Sequence, residues 1–205
     1  MAQMDALYAR PESDWSAEPN GLCRRVCALL DADGARGGRA MSIRGADEGR
    51  DAVAFARHGL TVTAVDAPLP GRRKAEAWAA AEGMRGEPLA ADILRPRMDR
   101  DCRLVDSSGA VHYLPPRLRA EIFANCKAPT EVGGYNARNV FAEKPFIATP
   151  ADYGPDRYFF RSGELLGLYW DWEVVHFEEE VFACTSGGVP HRHAMDTPTA
   201  RKVLP

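Results

Sequence analysis

Two aspartates stand where segments with strand character end, which is where a nucleotide-binding sheet holds its ligand. Asp66 closes LTVTAVD and Asp92 closes EPLAAD. An acid after the second strand of such a sheet can accept hydrogen bonds from both ribose hydroxyls, and Asp92 could bind an adenine amino group. Each could instead cap the following helix, a role that Asp often takes. Together they predict an adenosine-binding edge.

The loop RGADEG, before the first helix of this unit, narrows the choice of ligand. Gly45 and Gly49 let the backbone approach a ligand closely and offer its amides. A dinucleotide loop normally reads GxGxxG and cradles a pyrophosphate, which Asp47 and Glu48 would repel. A cofactor with a cationic sulfonium suits acidic surroundings better, so we predict S-adenosylmethionine, with Arg44 able to crowd its methionine end.

Imidazoles recur at two places, His112 after the fourth predicted strand and the stretch PHRHAMD, which holds His191, Arg192 and His193. His191 and His193 alternate on a predicted strand and so share one face. They could bind an oxyanion or take a proton near neutral pH, or they could be surface imidazoles beside a loop. A His-x-His pair is also a usable metal geometry, but no third ligand with good spacing is evident, so no metal is predicted.

We predict that His112, His191 and His193 are catalytic and that they face one pocket. The fourth strand's end and the last hairpin's loop both lie at the carboxyl side of the predicted sheet. General-base catalysis contributes about 10²–10⁴-fold, so replacing a histidine that acts as base should lower turnover by that factor.

Strands and helices alternate along the chain, which predicts a doubly wound, mostly parallel α/β sheet with helices on both faces. The segments DWEVVHFEEEVFAC and RHAMDTPTARKV, joined by TSGGVPH, predict an antiparallel C-terminal hairpin at the edge. RSGELLGLYW reads as a helix with Ser162 as its N-cap. Ligands of such sheets bind outside the carboxyl ends of the strands.

Length and composition limit the number of domains, the class of partner and the location that we expect. The chain has 205 residues and a net charge of −3, which predicts a single domain over 1–205 with no nucleic-acid or membrane partner. The start, MAQMDALYARPESDW, has no apolar signal core, so we expect a cytoplasmic protein. Five cysteines without a CxxC pair argue against a disulfide framework, and Cys23 and Cys27 read as core residues of one helix. We expect a monomer or homodimer with a small-molecule substrate.

Several longer stretches carry a family resemblance. EGRDAVAFARHGLTVTAVDA, VHYLPPRLR, GGYNARNVFAEKPFIATP, FFRSGELLGLYWDWEVVHFEEEVF and HRHAMDTPTARK resemble class I S-adenosylmethionine-dependent methyltransferases of the tellurite-resistance type. The resemblance implies a Rossmann-like seven-stranded sheet with its last strand antiparallel. It also implies methyl transfer to a small soft nucleophile, such as a reduced tellurium or selenium species or a thiol, or to a specialised metabolite.

The resemblance also assigns roles by position. Asp66 would hold the ribose, Asp92 the adenine, and Gly45 and Gly49 the methionine portion. The residues beside the sulfonium would be Ser107, Ser108 and His112. The family's substrate site involves basic and imidazole groups, which here would include Arg192. Residues 1–21 would form an N-terminal lid, with Trp15 and Asn20 over the substrate, although Trp15 could instead pack on the sheet edge.

The sequence departs from the family pattern at several points. The loop after the first strand is longer by about one residue, and Pro68, Pro70 and Gly71 replace a smooth helix start after Asp66. Arg103 and Arg138 interrupt strands that are normally apolar in parallel sheets. A protein on this scaffold could therefore use the cofactor differently or act as a non-catalytic binding protein.

Overall fold

The computed structural model describes residues 18–34, 36–44, 49–66, 86–89, 101–148, 157–185 and 188–205, with Ala77, Ala80 and Ala81. For Arg44, Ala64, Asp66 and residues 86–89 it describes the backbone alone. The helices are α1 (Gly21–Ala32), α2 (Arg50–Arg57), α3 (Pro116–Lys127) and α4 (Glu164–Gly167), with a 3-10 turn at Val111–Tyr113. The strands are β1 (Arg39–Arg44), β2 (Thr61–Asp66), β3 (Gly86–Leu89), β4 (Cys102–Ser108), β5 (Thr130–Glu143), β6 (Phe160–Arg161), β7 (Glu173–Cys184) and β8 (His191–Arg201).

One sheet contains all of these strands, in the order β3-β2-β1-β4-β5-β8-β7, and the two-residue β6 pairs with β5 beside this path. Strands β1 to β5 run parallel. Strand β8 is antiparallel to both β5 and β7. The chain passes from β3 across the sheet to β4, so the order reverses between β1 and β4. The predicted seven-stranded Rossmann-like class with an antiparallel C-terminal hairpin is confirmed.

Side-chain alternation on the central strand β4 divides the core between the two faces of the sheet. Leu104 belongs to a cluster with α1 and α2, which includes Leu30 and Phe55. Val105, its neighbour, belongs to a second cluster with α3, which includes Phe123. Successive strand residues point to opposite faces, so one apolar strand is covered by helices on both sides. Within the described ranges, no helix is long and apolar enough to cross a membrane.

Helix α4 is shorter than predicted and is capped differently. Gly163, not Ser162, is the N-cap residue, and the helix spans only Glu164–Gly167. The Gly163 N–H donates to Asp196 Oδ2 on β8 at 2.9 Å, and the Ser162 hydroxyl contacts Lys144 Nζ. The N-cap prediction for Ser162 was wrong because a tertiary contact from β8 fixes this turn.

The glycine pair of EVGGY lies inside β5 and does not turn the chain. Strand β5 runs for 14 residues, and its register against β4 shifts between Cys102 and Leu104. A Cβ on Gly134 would lie 2.9 Å from the Arg103 carbonyl oxygen and 3.1 Å from that of Cys102. Glycine at this position lets two backbones approach at the irregularity.

The two arginines that interrupt the strands have partners. Arg103 Nη2 lies 2.8 Å from Glu131 Oε1 at the sheet's amino end. Arg138 is fully buried, donates from Nε to Tyr169 Oη at 2.6 Å, and donates from Nη2 to Asn136 Oδ1 at 3.1 Å. A buried charge is tolerated when such hydrogen bonds compensate for lost solvation. The departures at Arg103 and Arg138 therefore leave the fold intact.

Candidate functional site

The point where the strand order reverses brings together the end of β1, the start of α2 and the end of β4. Arg44 pairs in register with Asp66 on one side and with Ser108 on the other. Gly49 is the N-cap residue of α2, is buried and has a left-handed φ of 94°. Glycine adopts that conformation without steric cost. Gly49 thus takes the place predicted for it, at a helix N-terminus facing the carboxyl ends of the strands.

Asn20 joins three elements at this edge. Its side-chain oxygen accepts from the Cys23 N–H at 2.8 Å, which caps α1. Its backbone N–H donates to Asp51 Oδ1 at 2.9 Å, and its Nδ2 donates to Asp51 Oδ2 at 2.5 Å. The same Nδ2 lies 3.1 Å from Ser108 Oγ. Asn20 is therefore a structural connector between α1, α2 and β4, and its contact with substrate stays a prediction.

A further asparagine, Asn139 on β5, completes this network, which we call the edge network (Asn20, Asp51, Ser108 and Asn139). Its Nδ2 donates to Ser108 Oγ at 2.9 Å, and its Oδ1 accepts from the Gly109 N–H at 2.8 Å. Asp51 and Asn139 were not singled out from the sequence. Each lies near the carboxyl side of the predicted sheet, and that position is a signal for a ligand site. Isolated polar residues are common there, so the signal did not single these two out.

Ser107 differs from its neighbour Ser108 in having no local partner. Its side chain is fully buried near the carboxyl end of β4, and its Oγ has no hydrogen-bond partner among the described residues. Leaving a buried hydroxyl unpaired costs about 1–3 kcal/mol. A bound polar ligand would relieve that cost, so this feature fits the cofactor predicted to lie at this edge. Gly45 and Asp92 lie outside the described residues, as does Trp15.

His112 lies in the 3-10 turn after β4 and is 2% exposed. Its ring packs against Tyr113 and Phe141, with ring centroids 4.5 and 5.0 Å away. Burial, helped by the nearby positive charges of Arg157 and His193, lowers the pKa of His112 from 6.5 to about 3. The imidazole is therefore neutral at physiological pH and is a weak base there.

His191 and His193 meet on one face of β8. Their Nε2 atoms are 2.8 Å apart, and Nδ1 of His191 lies 2.6 Å from the Val189 carbonyl oxygen. His193 is buried and stacks on Phe141 with centroids 4.5 Å apart. His112 packs on the same phenylalanine, so Phe141 contacts the rings of both His112 and His193, and His191 contacts His193 in turn. Their catalytic role stays a prediction.

A cleft opens beside these rings at the end of β5. Its volume is about 310 Å³ including the open mouth, and its lining includes Phe141, Lys144, Phe159, Arg192 and His193. Arg192 is exposed, whereas Lys144 is ion-paired with Glu179 and Glu143 also lines the cleft. The cleft thus combines aromatic walls with one exposed cation beside acidic groups, which suits a small polarisable molecule.

Comparison with known proteins extends this picture. The family described as "Tellurite resistance protein TehB" matches residues 32–187, in agreement with the predicted resemblance. None of the curated proteins matches the chain significantly. The match covers β1 to β7 and ends before β8, so it includes Asp66, Ser107 and His112 but not Asn20, His191, Arg192 or His193.

Solved structures agree on the fold. TehB from Haemophilus influenzae superposes with a TM-score of 0.77 at 19% identity, over 89% of this chain and 62% of its own. The chain thus spans less than two thirds of that protein's length. The 1,6-didemethyltoxoflavin-N1-methyltransferase of Burkholderia thailandensis, with bound 1,6-didemethyltoxoflavin and S-adenosylhomocysteine, gives 0.64 at 21% identity, over 90% of this chain and 79% of its own. The N-methyltransferase NodS of Bradyrhizobium japonicum, in complex with S-adenosylhomocysteine, gives 0.67 at 14%, over 98% and 97%.

Proposed function

The chain belongs to the family of the tellurite resistance protein TehB, and from this premise we propose that it transfers a methyl group from S-adenosylmethionine to a small soft nucleophile. The acceptor would be a chalcogen-derived species, a thiol or a specialised metabolite. The family match over residues 32–187 is the observation that carries the proposal. The edge network and the Ser107 hydroxyl, which has no hydrogen-bond partner among the described residues, support it, because both lie where this fold class binds ligands.

Bound S-adenosylmethionine supplies an electrophilic methyl group on a sulfonium. In this proposal Asp66 accepts hydrogen bonds from the ribose and Asp92 binds the adenine. Gly45 and Gly49 line the methionine portion, and Ser107 places its buried hydroxyl beside the ligand. The acidic side chains of this edge suit a cation, as the sequence of the loop indicated.

The acceptor would occupy the cleft beside Phe141. Most of the rate of such a transfer can come from holding nucleophile and methyl group in line. Arg192 would attract an anionic acceptor, and the three histidines would shape the pocket or accept its proton. A thiol or selenol is a good nucleophile once deprotonated, so a strong base is not required.

The N-terminal segment 1–21 would act as a lid, with Trp15 contacting the acceptor. Asn20 anchors the end of this segment through Asp51 and Ser108. The enzyme would work in the cytoplasm as a monomer or homodimer, with no nucleic-acid partner.

Product analysis tests the proposal. The protein is incubated with S-adenosylmethionine and, separately, tellurite or selenite with a reductant, a panel of thiols and a panel of heteroaromatic metabolites. Mass spectrometry should detect a methylated product and an equal amount of S-adenosylhomocysteine. Absence of both with every acceptor, from protein that binds the cofactor by calorimetry, would favour a non-catalytic binding protein. No cofactor binding at millimolar concentration would overturn the proposal.

A further inference from the structure

The end of the C-terminal hairpin places a cysteine beside the two histidines of β8. Cys184 pairs in register with His191 across β7 and β8, and Phe182 pairs with His193. Residues opposite each other on antiparallel strands, and residues two apart on one strand, point to the same face. Cys184 therefore lies where a third ligand beside His191 and His193 would be needed, a position that sequence spacing did not reveal.

The three ligand atoms are close enough to share one ion. Cys184 Sγ and one nitrogen from each of His191 and His193 lie within 4.8 Å of one another. A tetrahedral zinc ion, with Zn–N about 2.05 Å and Zn–S about 2.3 Å, needs N···N of about 3.3 Å and N···S of about 3.6 Å. The observed Nε2–Nε2 separation of 2.8 Å would open by about half an ångström, and the sulfur, which lies within 4.8 Å of the nitrogens, would move inward by at most about 1.2 Å.

The Val189 carbonyl favours the tautomer of His191 that can bind a metal through Nε2. Its Nδ1 lies 2.6 Å from the Val189 carbonyl oxygen. A carbonyl can only accept, so Nδ1 carries the hydrogen and the lone pair of the neutral ring is on Nε2. Metal-ligating histidines commonly hold the second ring nitrogen in this way. The arrangement presents Nε2 of His191 toward His193 as an acceptor.

We propose that Cys184, His191 and His193 form a binding site for a borderline-soft divalent cation of the zinc class. One thiolate and two imidazoles suit such ions and not Mg²⁺ or Ca²⁺, which take oxygen ligands. Binding replaces the His191–His193 hydrogen bond by two metal–nitrogen bonds and releases the thiol proton of Cys184 to solvent. His193 carries its hydrogen on Nδ1 in the bound form.

Three protein ligands leave the fourth position of a tetrahedral ion for water or another small molecule. His193 also lines the cleft, so the bound ion lies beside the proposed acceptor. A bound ion would occupy the nitrogens with which His191 and His193 could otherwise accept a proton, so these two histidines would then only shape the acceptor pocket. The test of the cation site needs no methyl transfer, so its failure and that of the proposed function can be told apart.

Cobalt titration tests the site in the full-length protein, after treatment with a chelator and a thiol reductant and with no S-adenosylmethionine present. We expect one equivalent of Co²⁺ to bind with a near-ultraviolet sulfur-to-metal charge-transfer band, and Zn²⁺ to displace it. Cys184→Ser should abolish the band. Cys184→Ser and His191→Gln should each weaken binding by at least about tenfold, a loss already seen when only outer-shell partners are removed.

Two matched controls are available. One is a histidine on the strand that carries Cys184, and the other is a cysteine elsewhere in the fold. His176→Asn, also on β7, and Cys27→Ser, half-buried on α1, should leave affinity and spectrum unchanged. X-ray absorption of the zinc-loaded wild type should show one sulfur at about 2.3 Å and two or three nitrogen or oxygen atoms near 2.0 Å. This measurement needs no variant, so it decides the question even where Cys184→Ser fails to fold. A shell without sulfur, or no binding near one equivalent, overturns the proposal.

Discussion

At the residue scale, the candidate cofactor site depends on polar side chains at the carboxyl ends of the strands. Asp66 terminates β2 in register with Arg44, which ends β1. A carboxylate there can accept from both hydroxyls of a ribose. Its contribution to cofactor binding can be measured without knowing the acceptor.

We expect Asp66→Ala to weaken S-adenosylmethionine binding by roughly 1–3 kcal/mol, the cost of leaving such hydrogen bonds unmade. Isothermal calorimetry of wild type and variant gives the difference. Asp101→Ala is the matched control, because Asp101 is exposed just before β4, at the amino ends of the strands and away from the proposed site. Equal affinities for wild type and Asp66→Ala would mean that the cofactor is held by other residues.

The second prediction at this scale concerns protonation of His112. Its pKa falls from 6.5 to about 3 on folding, chiefly through burial. Between these values the unfolded chain binds more protons than the folded one, so stability rises with pH. The contribution of neutral His112 to the unfolding free energy is therefore fully present above pH 6.5. It is lost as the pH falls from 6.5 toward 3.

Denaturant unfolding from pH 7.5 to pH 4, with a chelator present, checks this. His112→Gln cannot titrate in that window, so its unfolding free energy should fall less steeply than that of the wild type. His58→Gln, beyond the end of α2 and 3.0 Å from Asp31 Oδ1, is the control for replacing a histidine elsewhere in the fold. Parallel slopes for wild type and His112→Gln would contradict the assignment.

At the element scale, two positions fix how helices and strands join at the sheet. Asn20 caps α1 and bonds Asp51 and Ser108. Asn20→Ala removes an N-cap, worth about 0.5–2 kcal/mol, and takes partners from the buried Asp51. We expect a loss of about 1–3 kcal/mol in unfolding free energy, measured by urea titration.

Asn20→Ser separates the two contributions. A serine can cap the helix but is too short to bridge to Ser108, so it should lose less stability than Asn20→Ala. Both variants should bind S-adenosylmethionine more weakly than the wild type, because the edge network holds the cofactor side of the sheet. Unchanged affinity in both would restrict Asn20 to a role in stability.

The second element-scale prediction concerns the irregular pairing of β4 and β5. A Cβ at Gly134 would approach three carbonyl oxygens at 2.9, 3.0 and 3.1 Å. Backbone cannot yield as a side chain does, so Gly134→Ala should destabilise the protein by about 1–3 kcal/mol. Gly167→Ala is the control, since a Cβ there meets nothing within 4 Å. Thermal unfolding of both variants measures the difference.

At the scale of the whole molecule, ligand binding and folding are linked. The proposed adenosine site joins β1, β2, β3 and β4, so a cofactor bound there stabilises the native state only. At 100 times its dissociation constant such a ligand adds about 2.7 kcal/mol to the unfolding free energy. We expect S-adenosylmethionine and S-adenosylhomocysteine to raise the midpoint of thermal unfolding in a concentration-dependent way. Asp66→Ala should shift that dependence to higher ligand concentration, and a midpoint independent of ligand would count against the site.

The sequence by itself determined the sheet class, the C-terminal hairpin and the family. These follow from patterns that are local in the chain, namely the alternation of strand and helix periods and the long stretches from EGRD to the hairpin. The positions of Gly49 and Asp66 at strand and helix ends also follow from local spacing. Their backbone placement agrees with the prediction, whereas their ligand contacts stay predictions.

Tertiary structure alone decided which distant side chains meet. The Gly163 cap depends on Asp196 across the sheet, and the buried Arg138 depends on Tyr169 in the turn after α4. Asn20 binds Asp51, which is 31 positions away, whereas its contact with substrate stays a prediction. Cys184 joins His191 only through the hairpin register. Local sequence propensity does not predict such contacts. Their free energy arises from burial and pairing between segments that only the folded sheet brings together.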